Sequence, residues 1–352
     1  MALKPPVEVP QGAIRLNTDS QKLEFFAQDQ WWEMATDVPN LGGNGNASTD
    51  PTGNSADQVL GFRGIFGGGQ SPAKRDTLDY VNISSTGDAI DFGNLIATNS
   101  NPGACANRTR GFWLGGETPS VVNTIQYIQF AKPEATATDY ADLDGVIRRV
   151  SNSGCSSATR GLLGGGYNGS SNVNDIEYFT MASTGTAKQF GDLTTTLYYS
   201  QGVASPTRGV WMNGENPSFC NTIQFVTIAT TGDAFDFGDT SVSSSTRGAA
   251  SNSTRGIAMG GKSPSASLDT IEYITIASTG NSTDFGNLTA IRANGTSCAS
   301  PIRILYAGGG SPSDSDVIDY IAISTGGTTV DFGNLTQARA YFSAVSNGHG
   351  GL

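Results

Sequence analysis

The side chains that could do acid–base or nucleophilic chemistry are few and poorly spaced for it. The single histidine, His349, lies in the glycine-rich stretch Asn347-Gly348-His349-Gly350-Gly351, far from any serine–acid arrangement that would make it a catalytic base. Cys105, Cys155 and Cys298 each precede an arginine by five residues, whereas Cys220 lies elsewhere in its unit. Equivalent points of repeated units are held apart, so small buried apolar residues are expected there rather than disulfides or metal ligands. Asp142 and Asp144 in Ala-Asp-Leu-Asp-Gly come nearest to a cation site, but a calcium loop needs more oxygen ligands than this segment offers. The Asp-Phe-Gly triplets have no glycine-rich phosphate loop, strand lysine or His-Arg-Asp segment with them, and their recurrence marks them as structural. A carboxylate pair for glycoside cleavage would have to be assembled from separate units. The sequence therefore assigns no catalytic residue, no metal site and no cofactor.

What recurs is the frame that positions these residues. Arg63, Arg110, Arg160, Arg208, Arg255 and Arg303 follow one another at intervals of roughly 48 residues, a period of propeller or solenoid arrays. Paired glycines follow most of the arginines, then an aromatic at Tyr80, Tyr127, Tyr178, Phe225, Tyr273 and Tyr320. Each copy closes on a triplet such as Asp91-Phe92-Gly93 or Asp284-Phe285-Gly286. In the copy from Thr254 to Leu288 the pattern reads as short strands separated by turns, with no helix. Ile271 and Tyr273 alternate against Ile274 and Ile276, and apolarity on both faces fits a sheet packed between two neighbours. A ring of six arginines could bind an anion, but a residue present in every unit is better suited to satisfying backbone carbonyls, expected here in the turn before the second strand.

This order of an inner strand, a strand ending in paired glycines, a tyrosine strand and an aromatic strand resembles the kelch-type β-propeller over roughly residues 58–352, with the propeller domain placed at 59–352. An aromatic in the closing triplet stands where that family places an outer-strand tryptophan. The expected architecture is an all-β, six-bladed kelch-like propeller with four strands per blade. Its first unit has no inner strand before Arg63, while Tyr341-Phe342-Ser343-Ala344-Val345-Ser346 has the register of the missing piece. The C-terminal strand is therefore predicted to pair beside Gly64 to Gly68 and close the ring, removing two open sheet edges. Truncation after Leu335 should then be severe, and loss of His349 to Leu352 mild.

The formal net charge of −11 and the scarcity of basic residues give no face for a phosphate backbone, so nucleic acid is not an expected partner. No run is apolar enough to span a bilayer, and no signal peptide follows Met1. Residues 1–37 form a separate piece in which Ile14 and Leu16, then Leu23 and Phe25, alternate with polar neighbours ahead of Trp31-Trp32, as in hairpin strands too short to bury a core of their own. Residues 38–58 read as a linker. The segment Gly12-Ala13-Ile14-Arg15-Leu16-Asn17-Thr18 with Leu23-Glu24-Phe25 and Trp31 resembles a segment of bacteriophage tail-fibre and other virion proteins. The repeats resemble those of kelch-like proteins of tailed phages, notably cyanophages. Both resemblances imply a virion protein, assembled in the host cytoplasm, whose N-terminal residues Ile14, Leu16, Leu23, Phe25, Trp31 and Trp32 attach it to other virion proteins or associate it as a homo-oligomer such as a trimer.

In a propeller the connection between second and third strands and the linker between blades share one face, so residues that vary there form one surface. Tyr167, Tyr198, Tyr199, Arg148, Arg149, Phe219, Arg292, Arg339 and Tyr341 are the residues of that set singled out for binding. Tyrosines and arginines among serine, asparagine and glycine suit sugar recognition or a protein interface. Three functions are expected in descending order: a virion surface module binding a host glycan or receptor, a structural decoration protein, and a polysaccharide-degrading enzyme.

Overall fold

The computed structural model describes residues 13–17, 22–27, 30–33, 62–132, 135–144, 153–310 and 312–352. The chain divides into two compact units, Met1–Val59 and Leu60–Leu352. In the first, strands Ile14–Asn17, Lys22–Ala27 and Gln30–Glu33 form an antiparallel sheet in that order, with Ile14 opposite Phe25 and Phe25 opposite Trp32. Arg15 pairs with Glu24 at 2.8 Å and its guanidinium lies 4.1 Å from the Trp31 ring centroid. Leu16 and Leu23 lie in the same strands, and Ile14 is 63 % exposed. The linker expected at 38–58 lies outside the described residues.

The second unit is a six-bladed β-propeller, and no helix occurs among its described residues. Blade four shows the plan: inner strand Gln201–Ala204, second strand Arg208–Glu215, third strand Phe219–Thr227 and outer strand Phe235–Asp239, all antiparallel. The ring closes as its sequence demands. Ser343–Ser346 pairs antiparallel with Arg63–Gly67, Ser343 opposite Gly67 and Ser346 opposite Gly64, and supplies the inner strand that blade one lacks. Three inner strands carry Cys105, Cys155 and Cys298, all free and buried, and burial raises each thiol pKa.

Blades adhere through the residues that repeat. Each repeat arginine stacks on the aromatic of its own third strand, as Arg255 does at 4.9 Å from the Tyr273 centroid, and then reaches the neighbouring blade. Arg63 donates to Phe130 O, Arg110 to Met181 O, Arg160 to Ile228 O, Arg208 to Ile276 O, Arg255 to Ile323 O and Arg303 to Ile83 O. The arginines are struts, but the carbonyls they satisfy follow the third strand of the next blade rather than the turn ahead of their own second strand. The closing triplet works at the same seam. Its aromatic packs edge-on against the repeat tyrosine, with Tyr80 and Phe92 centroids 5.8 Å apart at 77°. Its carbonyl accepts the amide of the next blade's turn, as Phe332 O does from Gly87 N at 2.8 Å. A Cβ on Gly333 would meet the Gly87 carbonyl, so a side chain there would push the blades apart.

Candidate functional site

Glycine-pair turns and inter-blade linkers come together on one face, here the upper face. Gly69 N donates to Asn99 O at 2.7 Å, Gly166 N to Leu197 O at 2.6 Å and Gly261 N to Arg292 O at 2.8 Å, so each turn is tied to the linker beside it. At the bend before the inner strand the linkers place one residue in the left-handed region: Asn101 (φ 54), Tyr199 (φ 56), Thr246 (φ 53), Asn294 (φ 62) and Tyr341 (φ 59). Backbone bonds run around this ring, Asn101 N to Tyr341 O at 2.8 Å, Tyr341 N to Asn294 O at 2.9 Å and Asn294 N to Thr246 O at 3.0 Å. Asparagine tolerates such a backbone, whereas tyrosine enters it at a cost that the surrounding bonds must hold.

Of the residues singled out by sequence, three meet. The rings of Tyr198 and Tyr199 lie 3.7 Å apart between centroids with a 34° tilt, and Tyr167 stands 6.0 Å from Tyr198. The Tyr167 hydroxyl donates to Gly169 O at 2.9 Å, so the stack begins at the exposed tip of the blade-three turn. Tyr198 and Glu215 exchange backbone bonds at 3.1 and 2.8 Å, and Phe219, half-buried, pairs with Glu215 across the blade-four hairpin. Tyr341 lies apart from this stack, on the linker from blade six to blade one. Arg148 and Arg149 lie outside the described residues.

Arg292 and Arg339 are not surface residues. They are 4 % and 1 % exposed, and each is bound to a buried carboxylate of the following blade: Arg292 to Asp319, and Arg339 to Asp79 at 2.8 Å. Arg339 also donates to Gly68 O, Thr77 O and Phe66 O. Arg247 repeats the arrangement with Glu272 at 2.5 Å. Burial alone would push the Glu272 carboxyl up, but Arg247 and the Ser241 hydroxyl hold it below the usual carboxylate range. These residues vary between blades, which made them look like recognition residues, yet they vary together with an acid one place before the repeat tyrosine.

Sequence reasoning passed over the carboxylates of the upper face. Glu215 Oε1 accepts a hydrogen bond from Ser245 Oγ at 2.6 Å, and Glu117 pairs with Lys74 at 3.0 Å. The Tyr341 phenol is pushed up by burial and then by the charges of Asp314 and Glu215. The turn Glu215-Asn216-Pro217-Ser218 carried the signal, as a charged residue in a segment otherwise made of small polar ones. The arrangement can stack a flat apolar face on tyrosine and accept hydrogen bonds at Glu215 beside it. No protein-family model matches the chain, and no curated protein matches it.

Proposed function

We propose that the chain is a virion surface protein of a tailed bacteriophage, whose propeller binds a saccharide of the host surface and whose N-terminal sheet attaches it to other virion proteins. The Tyr167–Tyr198–Tyr199 stack carries this reading, because it joins three half-buried rings on the face that carries the variable loops. Tyrosine rings stack on the apolar faces of pyranoses and hold little conformational freedom to lose. Binding without turnover is the expected activity. The buried acids Asp79, Glu272 and Asp319 are each committed to an arginine strut and are in no position to act on a glycosidic bond.

Replacing Tyr198 and Tyr199 together by alanine should reduce retention on host cells and on isolated surface polysaccharide at least ten-fold, roughly the loss of one stacked contact, while melting changes little. Unchanged retention would move recognition away from this stack, and depolymerisation of the polysaccharide would make the protein an enzyme. The attachment half of the reading is supported by the exposed Ile14 in a sheet of three short strands. Deleting residues 1–37 should leave a propeller that folds and binds but no longer enters particles. A second reading, decoration of the virion by protein contact alone, draws on Ile90 and Val330, which are exposed on the outer strands of adjacent blades. Retention by neither cells nor polysaccharide, with incorporation into particles intact, would favour it.

A further inference from the structure

The saccharide reading leaves open what kind of saccharide the upper face would select, and the ring of linkers bears on that. Tyr199 precedes the inner strand of blade four and Tyr341 that of blade one, so the two left-handed tyrosines stand opposite one another across the propeller axis. Among the described residues the intervening positions on the ring are Asn101, Thr246 and Asn294, none of them aromatic. The bends before the inner strands hold buried polar atoms that find no partner among the described residues: Ser100 Oγ, Ser153 Oγ, Ser200 Oγ and Gln201 Oε1 beside Tyr199, and Thr246 Oγ1. Buried polar atoms are ordinarily hydrogen-bonded, and orphans repeated on successive bends mark a rim where water or a polar ligand completes them. The carboxylates whose charges bear on the Tyr341 phenol are Asp314, in the blade-six turn, and Glu215, anchored by Ser245. The basic side chains of the neighbouring turns are Lys74, which Glu117 neutralises, Arg75, which donates to Ser71 O, and the exposed Lys262.

We infer that the saccharide bound by this face carries a cationic amine, seated at the axial mouth between Tyr199 and Tyr341 with Glu215 as its counter-charge. Aromatic faces attract a cation through their quadrupole, and a carboxylate held by a hydroxyl donor adds a fixed partner for the ammonium. A carboxylated sugar would meet the same groups as repulsion, which makes the mouth discriminate as well as attract. The inference rests on the saccharide reading and fails separately from it.

Titration calorimetry with a glucosamine hexamer, its fully N-acetylated form and a uronate oligomer tests it. The wild-type protein should prefer the glucosamine hexamer over the acetylated one by roughly ten-fold or more, and the preference should shrink as salt rises. Glu215→Gln keeps an acceptor for Ser245 but removes the charge, and should bring the two hexamers to similar affinity without changing the melting temperature. Equal affinity for the two hexamers in the wild-type protein, or tighter binding of the uronate, overturns the inference and leaves saccharide binding standing. Binding of none of the three overturns both.

Discussion

Arg255 does two things that a lysine could do only singly. Its guanidinium carbon lies 4.9 Å from the Tyr273 ring centroid while Nη1 donates to Ile323 O at 2.7 Å and Ser324 O at 3.2 Å. An ammonium is a point charge that can stack or donate along one direction, so Arg255→Lys should lower the unfolding free energy by about 1–2 kcal/mol. Urea denaturation measures this, and a midpoint equal to that of the wild type would show the strut to be incidental. The strut role was legible from recurrence, because a side chain that appears in every unit serves the frame. Its acceptor was not legible. The carbonyl lies 68 residues ahead of the arginine, in the next blade, and nothing local to either residue announces the pairing. Arg292 and Arg339 were misplaced for a related reason. A linker residue looks exposed until one knows that a carboxylate of the following blade lies buried beneath it, as Asp319 does for Arg292. Asp319→Ala should therefore cost about 3–5 kcal/mol by leaving a buried guanidinium without its counter-charge, and Arg292→Met in the same chain should restore most of that. A double variant no more stable than the single one would mean that the pair is not acting as a unit.

At the scale of the blade, the place before the repeat aromatic explains what the sequence shows only as variation between Asp, Glu and Gln. Gln126 Oε1 accepts Ile96 N at 2.9 Å, Glu177 Oε2 accepts Asp144 N at 3.0 Å and Gln224 Oε1 accepts Thr194 N at 2.7 Å. Glu272 Oε1 accepts Ser241 N at 2.9 Å, and Asp79 Oδ2 accepts Thr336 N at 3.1 Å. Each side chain thus holds the linker arriving from the previous blade, and an oxygen acceptor is all that this requires. An acid takes the place of Gln where the arriving linker also brings an arginine to be neutralised, as Arg247, Arg292 and Arg339 are. Applied to the sequence, the rule asks for an arginine ahead of Glu177, where Arg148 and Arg149 stand. Glu177→Gln should then be harmless in a chain that also carries Arg148→Gln and Arg149→Gln, and destabilising without those changes. Thermal melting of the two variants decides it, and equal melting temperatures would confine the rule to the three blades in which the pair is described. Blade count, strand order and the closing strand were readable because local patterns repeat six times in register. The pairing across seams was hidden because it joins residues of different copies.

At the scale of the whole ring, the segment after the closing strand does more than its composition suggests. A glycine-rich end looks dispensable, and the sequence alone predicts that losing His349 to Leu352 is mild. The segment lies against the ends of the inner strands, where a Cβ on Gly351 would meet Ser156 O. Arg63 N donates to Asn347 Oδ1 at 2.8 Å, and a Cβ on Gly350 would meet both Ala204 O and Asn252 O. His349 closes one end of an axial cavity of about 60 Å³ lined by Cys105, Cys155, Ser156 and Cys298. Its tautomer follows from its partners. Gly351 N donates to Nδ1 at 3.1 Å, so Nε2 carries the hydrogen and donates to Ala106 O at 2.7 Å. A second proton would have to sit on Nδ1, facing the Gly351 N–H. Burial, with Arg108 adding to it, lowers the pKa from 6.5 to about 4 against the pull of the Ala106 carbonyl. The sign follows directly: the unfolded chain takes up this proton near pH 6.5 and the folded one only near pH 4, so the contribution is complete above 6.5 and is lost as the pH falls between those values. Each unit of separation is worth about 1.4 kcal/mol, which bounds the loss at about 3.5 kcal/mol, trimmed by the partial exposure of His349. Denaturant unfolding of the wild-type protein and of His349→Gln at pH 7 and pH 4.5 isolates the term. The wild type should lose more stability than the variant over that interval, by about 1–3 kcal/mol. A parallel loss in both proteins would mean that His349 titrates alike in the folded and unfolded chain and that this end of the cavity is not closed by a neutral imidazole.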